Sequence, residues 1–500
     1  MKTIHTLLLS AVTVLSLCAC GNKNNPTPSN SNESTSQAES GIVINFWHTF
    51  GKTPADAIEA KGKEFSQKIK AQEGVDVTIK FTYKGGYTDM PGLVTKGFAT
   101  GDNPTIAVAY PDHVADYFAA EQTPGEFVVN LKPYAEDPNI GFGKEAFLGD
   151  NEGIDDFVEA FIEEGQNYER EGMYSLPYMK SSEVMFYNKT ALRRAMTYYD
   201  SSITSDVQIE QFMNNLTWDT FMDLCEVIND NKTSIISTLE IPAFYDSDGN
   251  FIISKMIQNG IGFSSIDSNG KGRIDFNGVA TSSFTPSAEQ TTNYNKTIQL
   301  LTELKSQYDE GLLTTKGAFG EYGSNNFVNQ KTMFSIGSSG GAGYNFPSSA
   351  TFEVGICKVP ASNNNPLYVT QGPTLCVLNN SKATNNDLLV KYAWKFLKYI
   401  TNDEVNSVLC VDGSEGYIPV RYSAYSTQRF LSFMRDGESY AKVAKTVINE
   451  IDGHYLNTAV FTGSASLREY MAGALADVLL GKKTPTEALN NAISETIKKM

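Results

Sequence analysis

The chain has 500 residues, and 57 acidic side chains against 40 lysines and arginines give a formal charge of −17. That balance disfavours polyanionic partners, and no basic stripe interleaved with aromatics is present, so the sequence argues against nucleic acid as a ligand. Six cysteines in this length form no CxxC pair, which argues against a disulfide framework or a zinc site, and no metal or other cofactor is expected.

Lys2 precedes an apolar-rich stretch from Leu7 to Leu17 that ends in Leu17-Cys18-Ala19-Cys20-Gly21. The stretch is about half the ~20 residues a spanning helix needs, so residues 1–19 read as an export signal that is removed. A small residue before a cysteine is the pattern of the bacterial lipobox. Cys20 is then the first mature residue, its thiol acylated, and two or three acyl chains anchor stably where one would not. The expected location is the outer face of the cell membrane. Residues 20–40 contain almost nothing to bury, and as a soft linker they would set the folded part ~25 Å from the anchor. The remainder, 41–500, is too long for one hydrophobic core and predicts two lobes.

Ile42 to Trp47 fits a buried strand, and a helix follows over 55–72 with Ile58, Phe65 and Ile69 at helical spacing. Val75, Val77, Ile79, Phe81 and Tyr83 then alternate with polar residues, the period of a half-buried strand. A helix over 92–100, a strand over 106–110 and a helix near 113–120 repeat the alternation, which predicts a parallel, doubly wound α/β sheet. Farther on, Asp387 is the expected N-cap of a helix presenting Leu388, Leu389, Tyr392, Ala393, Phe396, Leu397 and Ile400, and a last helix runs from Thr484 or Thr486 to Met500. The segments 246–249 and 267–272 invite a calcium reading, but hairpin turns are expected at both, and in the second Lys271 and Gly278 stand where a calcium loop needs an oxygen ligand and a glutamate. Cys225, Cys357, Cys376 and Cys410 are expected as buried thiols, with pairing of Cys357 and Cys376 left open.

In α/β sheets ligands sit beyond the carboxyl ends of strands, so residues just after each expected strand are the candidates. These are Trp47, His48, Tyr87, Tyr110, Asp112, Ser181, Ser182, Glu183, Ser338, Ser339, Gly372, Tyr417 and Arg421. Flat aromatic faces suit the C–H side of sugar rings, and hydroxyl, carboxylate and guanidinium groups suit their hydroxyls. Trp218 is expected to pack in the core.

Ile44-Asn45-Phe46-Trp47-His48, Thr82-Tyr83-Lys84-Gly85, Leu176-Pro177 through Lys189, Thr217-Trp218, Phe327 through Ser339, Gly416 to Pro419 and Gly481 to Pro485, in this order, resemble the extracellular solute-binding proteins of sugar ABC importers. The resemblance covers nearly all of 41–500. It implies a two-lobed α/β fold of the periplasmic-binding-protein type (class II), a ligand cleft between the lobes, no catalysis, a monomer, and a permease as partner. It places interlobe crossings near Leu176, Phe334 and Gly372, giving one lobe from 41–177 plus 335–372 and another from 178–334 plus 373–500. Glycerol-3-phosphate-binding members look most similar, with Tyr87, Ser181, Ser338, Gly372 and Tyr417 at their ligand positions. Pro111 stands where those members carry an acid, and 460–465 holds no counterpart of their phosphate-region arginine, Arg468 being the nearest. The expected ligand is therefore a neutral mono- or oligosaccharide, with glycerol 3-phosphate or a glycerophosphodiester as the alternative.

Two other classes compete. Gly337-Ser338-Ser339-Gly340-Gly341 fits G-x-S-x-G, and Asp412 and His454 follow in hydrolase order, which would make Ser339 a nucleophile. A nucleophile elbow must lead directly into a helix, and Gly340 to Gly343 with Pro347 make a poor helix start. A tethered adhesin would need neither cleft nor small ligand.

Overall fold

A computed structural model describes residues 41–349, 351–362, 365–414, 416–437 and 439–500. The expected signal peptide, Cys20 and the expected linker lie outside them. Numbered in chain order, the strands are β1 Ile42–His48, β2 Val77–Tyr83, β3 Ile106–Ala109, β4 Leu176–Pro177, β5 Glu183–Asn188, β6 Ile241–Tyr245, β7 Ser264–Ile266, β8 Gly272–Ile274, β9 Leu313–Thr315, β10 Thr332–Ser338, β11 Val354–Lys358, β12 Tyr368–Val369, β13 Thr374–Val377 and β14 Tyr455–Leu456.

Two five-stranded sheets organise the molecule, ordered β2-β1-β3-β13-β4 and β11-β5-β10-β6-β9. β1 buries Ile42, Ile44, Phe46 and His48 in strict alternation, as its apolar pattern requires, whereas all four residues of β3 are buried because helices cover both faces there. The sheets are not purely parallel as expected. β1, β2 and β3 run parallel, but β13 is antiparallel to β3 and β4, and β5 is antiparallel to β10 and β11. The cause at β13 is its point of entry. The chain re-enters the first sheet from the other lobe at Thr374, opposite Ala109 at the carboxyl end of β3, and so runs back against it.

Strand membership also corrects the expected division of the chain. The segment 335–372 was expected in the first lobe, yet β10 continues through Ser338 and β11 follows it in the second sheet. Phe334 is therefore mid-strand and marks no crossing. Residues from 373 were expected in the second lobe, yet β13 completes the first sheet and helix Asn386–Ile400 packs there, with Phe396 edge-on to Phe46 at 6.2 Å. Helices Ser464–Leu479 and Pro485–Ile497 return to the second lobe and share its core.

The crossings near Leu176 and Gly372 are present, and the segment through Tyr417 and Ile418, which belongs to the first lobe on either side, runs beside them. Their backbones pair. Lys180 and Ile418 exchange hydrogen bonds of 3.1 and 2.8 Å, and Ser181 and Gln371 exchange bonds of 3.1 and 3.2 Å. Three extended segments thus form a narrow hinge. Lys180 is fully buried within it, pairing with Glu164 and donating to the Gly372 carbonyl at 3.4 Å.

Several local expectations change for identifiable reasons. Asn385, not Asp387, is the N-cap, and Asp387 sits in the first turn, where its charge still faces the positive helix end. The 246–249 segment opens helix Asp248–Gln258 because Ser247 caps it by accepting from the Asn250 amide, whereas 267–271 does turn a hairpin between β7 and β8. The four described cysteines are free and buried, with Cys357 and Cys376 in different sheets. Trp218 is a core residue, its indole N–H donating to Gln258 at 3.0 Å. No described helix is long and apolar enough to cross a membrane.

Candidate functional site

A cavity of about 980 Å³ lies between the lobes, against the hinge. It is at the upper end of the ~300–1,000 Å³ usual for ligand pockets.

From the first lobe come Tyr87, after β2, and Tyr110, Asp112 and His113, after β3. Tyr110 is extended and precedes helix Pro111–Phe118, whose proline is preorganised for the first helical position. The rings of Tyr87 and Tyr110 stack at 4.5 Å and 19°. Burial pushes both phenols well above their ordinary range, so their hydroxyls stay neutral and can both donate and accept. The hinge contributes Ser181, Gln371, Gly372 and Tyr417, with the Tyr417 phenol pushed up to about 12 by burial.

From the second lobe come Asp246 and Asp248 after β6, Asn250, Lys316, Ser338 at the end of β10, and a stripe of helix Ser464–Leu479. Asp246 accepts from the Gly323 amide at 2.6 Å, and burial raises its carboxyl to about 6. Asp248 accepts from the Thr315 hydroxyl and from the Gly317 amide at 2.8 Å. Tyr322 and Tyr344 line the mouth with 52% and 77% of their surface exposed, and the Lys316 ammonium covers one face of Tyr322 at 3.8 Å. Arg468 donates to Asn250 Oδ1 at the cavity wall.

Seven of the thirteen expected residues meet here: Tyr87, Tyr110, Asp112, Ser181, Ser338, Gly372 and Tyr417. Six do not. Trp47 lies outside the cavity under the Lys84 ammonium, 3.8 Å from its ring. His48 is buried, stacks on Phe50 at 5.4 Å and accepts from the Phe50 amide at 3.2 Å, and burial lowers its pKa. Ser182 and Ser339 are buried against each other, the Ser182 amide donating to Ser339 Oγ at 3.3 Å. Alternation in extended chain explains both pairs, since a neighbour of a cavity-facing residue faces away. Ser181 and Ser338 face in, joined by a 3.3 Å hydroxyl contact.

Glu183 is buried beneath the wall, accepting from the Tyr245 hydroxyl and from Asn250 Nδ2. Arg421 is 1% exposed inside the first lobe, 3.5 Å from Asp150, 3.6 Å from Asp156 and 4.0 Å from the Phe157 ring centre. Replacing Arg421 with alanine is expected to destabilise the protein by about 3–5 kcal/mol, because Asp150 would remain buried with less compensation. Urea denaturation measures this, and solute affinity of the folded fraction should not change.

In the sequence Arg468 lies past 460–465, the segment where the resemblance would put a ligand arginine. In the structure Ser464, Ala465, Arg468, Glu469 and Ala472 share one cavity-facing stripe, at spacings of one, four, five and eight residues. Helical periodicity was the signal that could have found it. Asp246, Asp248 and Asn250 are not among the thirteen, because the sequence at 246–249 predicts a hairpin turn and not the helix start that turns them to the cavity.

A family model described as bacterial extracellular solute-binding protein matches residues 64–432. Among solved structures, the GacH receptor of Streptomyces glaucescens, studied unliganded and with acarbose, has a TM-score of 0.63 at 14% identity, covering 92% of this chain and 98% of its own. The cyclic alpha-maltosyl-1,6-maltose binding protein of Arthrobacter globiformis has a TM-score of 0.63 at 16% identity, covering 92% and 100%. UgpB of Mycobacterium tuberculosis, in complex with glycerophosphocholine, has a TM-score of 0.62 at 15% identity, covering 91% and 98%. At these identities the likeness is one of fold. No curated protein matches the chain.

Proposed function

The chain belongs to the bacterial extracellular solute-binding proteins, and from that membership we propose that it captures a carbohydrate between its lobes and delivers it to the permease of an ABC importer. The lining of the cavity carries this reading. Tyr87, Tyr110, Tyr322, Tyr344 and Tyr417 offer aromatic surface, while Asp112, Asp246, Asn250 and Gln371 offer acceptors and donors. Sugar rings need both on opposite faces. Similarity in fold to the acarbose and cyclic maltosyl-maltose binders supports the same class. Closure about the three-stranded hinge would add contacts from the second lobe to a solute first held by one lobe, so binding energy shifts the open–closed population.

Arg468 in the cavity favours a second reading, a glycerol phosphate or glycerophosphodiester, because guanidinium groups suit phosphate and the fold resembles UgpB. A thermal-shift panel of sugars, polyols, glycerophosphodiesters and peptides separates the two. A solute at one hundred times its Kd stabilises by ~2.7 kcal/mol. Stabilisation by saccharides alone supports the first reading, by glycerophosphodiesters alone the second, and by neither class sinks both. Tyr87→Ala and Tyr417→Ala are each expected to weaken binding by about 1 kcal/mol or more in calorimetric titration.

The site is proposed as one of binding without catalysis. Ser339 is fully buried, the chain beyond it forms a 3-10 turn, and Asp412 pairs with Arg429. Ester hydrolysis by the pure protein, lost in Ser339→Ala, would overturn this. We propose further that the protein acts as a monomer anchored through acylated Cys20. Cys20→Ser should then move it from the membrane fraction to the medium, as immunoblots of both fractions would report.

A further inference from the structure

Among the described residues Arg468 is the only arginine lining the cavity, and the atom that receives its N–H is neutral, Asn250 Oδ1. Asn250 is 2% exposed, in the first turn of helix Asp248–Gln258, where Ser247 Oγ accepts from its backbone amide at 3.3 Å. Its side-chain Nδ2 donates to Glu183 Oε1 at 3.0 Å, and the Tyr245 hydroxyl donates to Glu183 Oε2. A carboxamide has one donor end and one acceptor end. With the donor end held by the carboxylate, the acceptor end must face Arg468, and the reverse orientation would set N–H groups against each other.

We propose that Glu183 and Asn250 are positioning residues: the buried carboxylate fixes the orientation of the Asn250 amide, and the amide aims the Arg468 guanidinium at the solute. This rests on the reading of the cavity as the solute site. Glu183 itself does not line the cavity, so its effect on the solute passes through two neighbours.

The relay depends on the charge state of Glu183. Burial raises its carboxyl to about 7, against the pull of Tyr245, Asn250 and Arg468. The other ionisable groups that bear on it are Asp246, at the end of β6, and Glu450, on helix Ser439–His454. Above that pH the carboxylate accepts from both donors. Below it the added proton takes one acceptor position, and the Asn250 amide is free to turn.

The Arg468 Nη2–H resonance, from the N–H that meets Asn250 Oδ1, observed by NMR in the unliganded protein, tests the relay directly. In the wild type the resonance should be ordered and should shift between pH 8 and pH 6 with a midpoint of about 7. Glu183→Gln should abolish the shift, and Asn250→Ala should abolish the order. A resonance whose order and pH profile are the same in both variants as in the wild type overturns the proposal. If Asn250→Ala does not fold, the nearly isosteric Glu183→Gln decides alone.

Titration with maltotriose and with glycerophosphocholine at pH 8 completes the test. Whichever binds the wild type should bind Glu183→Gln about tenfold or more weakly, since hydrogen bonds involving charged groups are the strong ones. Unchanged affinity overturns the positioning role. Failure of both compounds to bind the wild type, with the NMR response intact, would count against the solute reading and leave the relay standing.

Discussion

Lys180→Met is expected to destabilise the protein by about 3–5 kcal/mol, the usual result of removing one member of a buried ion pair. The Lys180 side chain has no solvent exposure, and Glu164 beside it is nearly as buried. With the ammonium gone, the Glu164 carboxylate would keep its burial and lose its counter-ion. Two consequences distinguish this from simple loss of packing. Glu164→Gln in the Lys180→Met background should recover much of the loss, because the uncompensated charge is removed with it.

The pH dependence has a definite sign. Burial raises the Glu164 pKa above its ordinary value even with Lys180 in place, so the folded state holds this proton more tightly than the unfolded chain does. Such a group favours folding at low pH and loses that contribution as pH rises through its folded pKa. Removing Lys180 takes away the opposing attraction and enlarges the raise. The gap between variant and wild type should therefore narrow as pH falls below neutrality. Urea denaturation at several pH values measures it, and a gap that widens toward acid would show that the pair is not the cause.

The second large effect is expected at Gly372. Its φ is +102°, and a side chain there would bring Cβ to 2.4 Å from the Met179 carbonyl oxygen and 2.8 Å from Lys180 Cα. The backbone conformation alone costs a non-glycine residue about 1–3 kcal/mol. The contacts are with backbone of the neighbouring hinge segment, so they cannot be relieved by turning a side chain. Gly372→Val should lower stability by at least that amount and weaken solute binding, because the hydrogen bonds between Ser181 and Gln371 must part. Denaturation and titration together check this, and a variant as stable as wild type with unchanged affinity would show that the hinge does not need the close approach. Because the Gly372 carbonyl also accepts from Lys180, the two substitutions should not be additive.

Much of the first lobe was legible in residue order. The alternation of Ile42, Ile44 and Phe46 and of Val77 and Ile79 fixes strands with one buried face, and Ile58, Phe65 and Ile69 fix the intervening helix. Those signals are local, because each side chain's facing follows from its own backbone period. The same local logic placed Tyr87, Tyr110 and Asp112 beyond strand ends, where the cavity lies. It could not decide between Ser181 and Ser182, or between Ser338 and Ser339, because choosing the inward residue requires the exact point at which a strand ends.

Arg421 and Glu183 show the converse. A charged residue after a strand suggests a ligand contact, but Arg421 finds Asp150 and Asp156, and Glu183 finds Tyr245 and Asn250, partners far away in the chain. The sequence by itself determined the alternation of strands and helices, three first-lobe cavity residues and the resemblance to solute-binding proteins, all carried by short-range pattern. Only the tertiary structure decided which segments cross the hinge, that β13 returns antiparallel to the first sheet, and that Arg468 reaches the cavity. Those outcomes depend on contacts between residues hundreds of positions apart, and no local period encodes them.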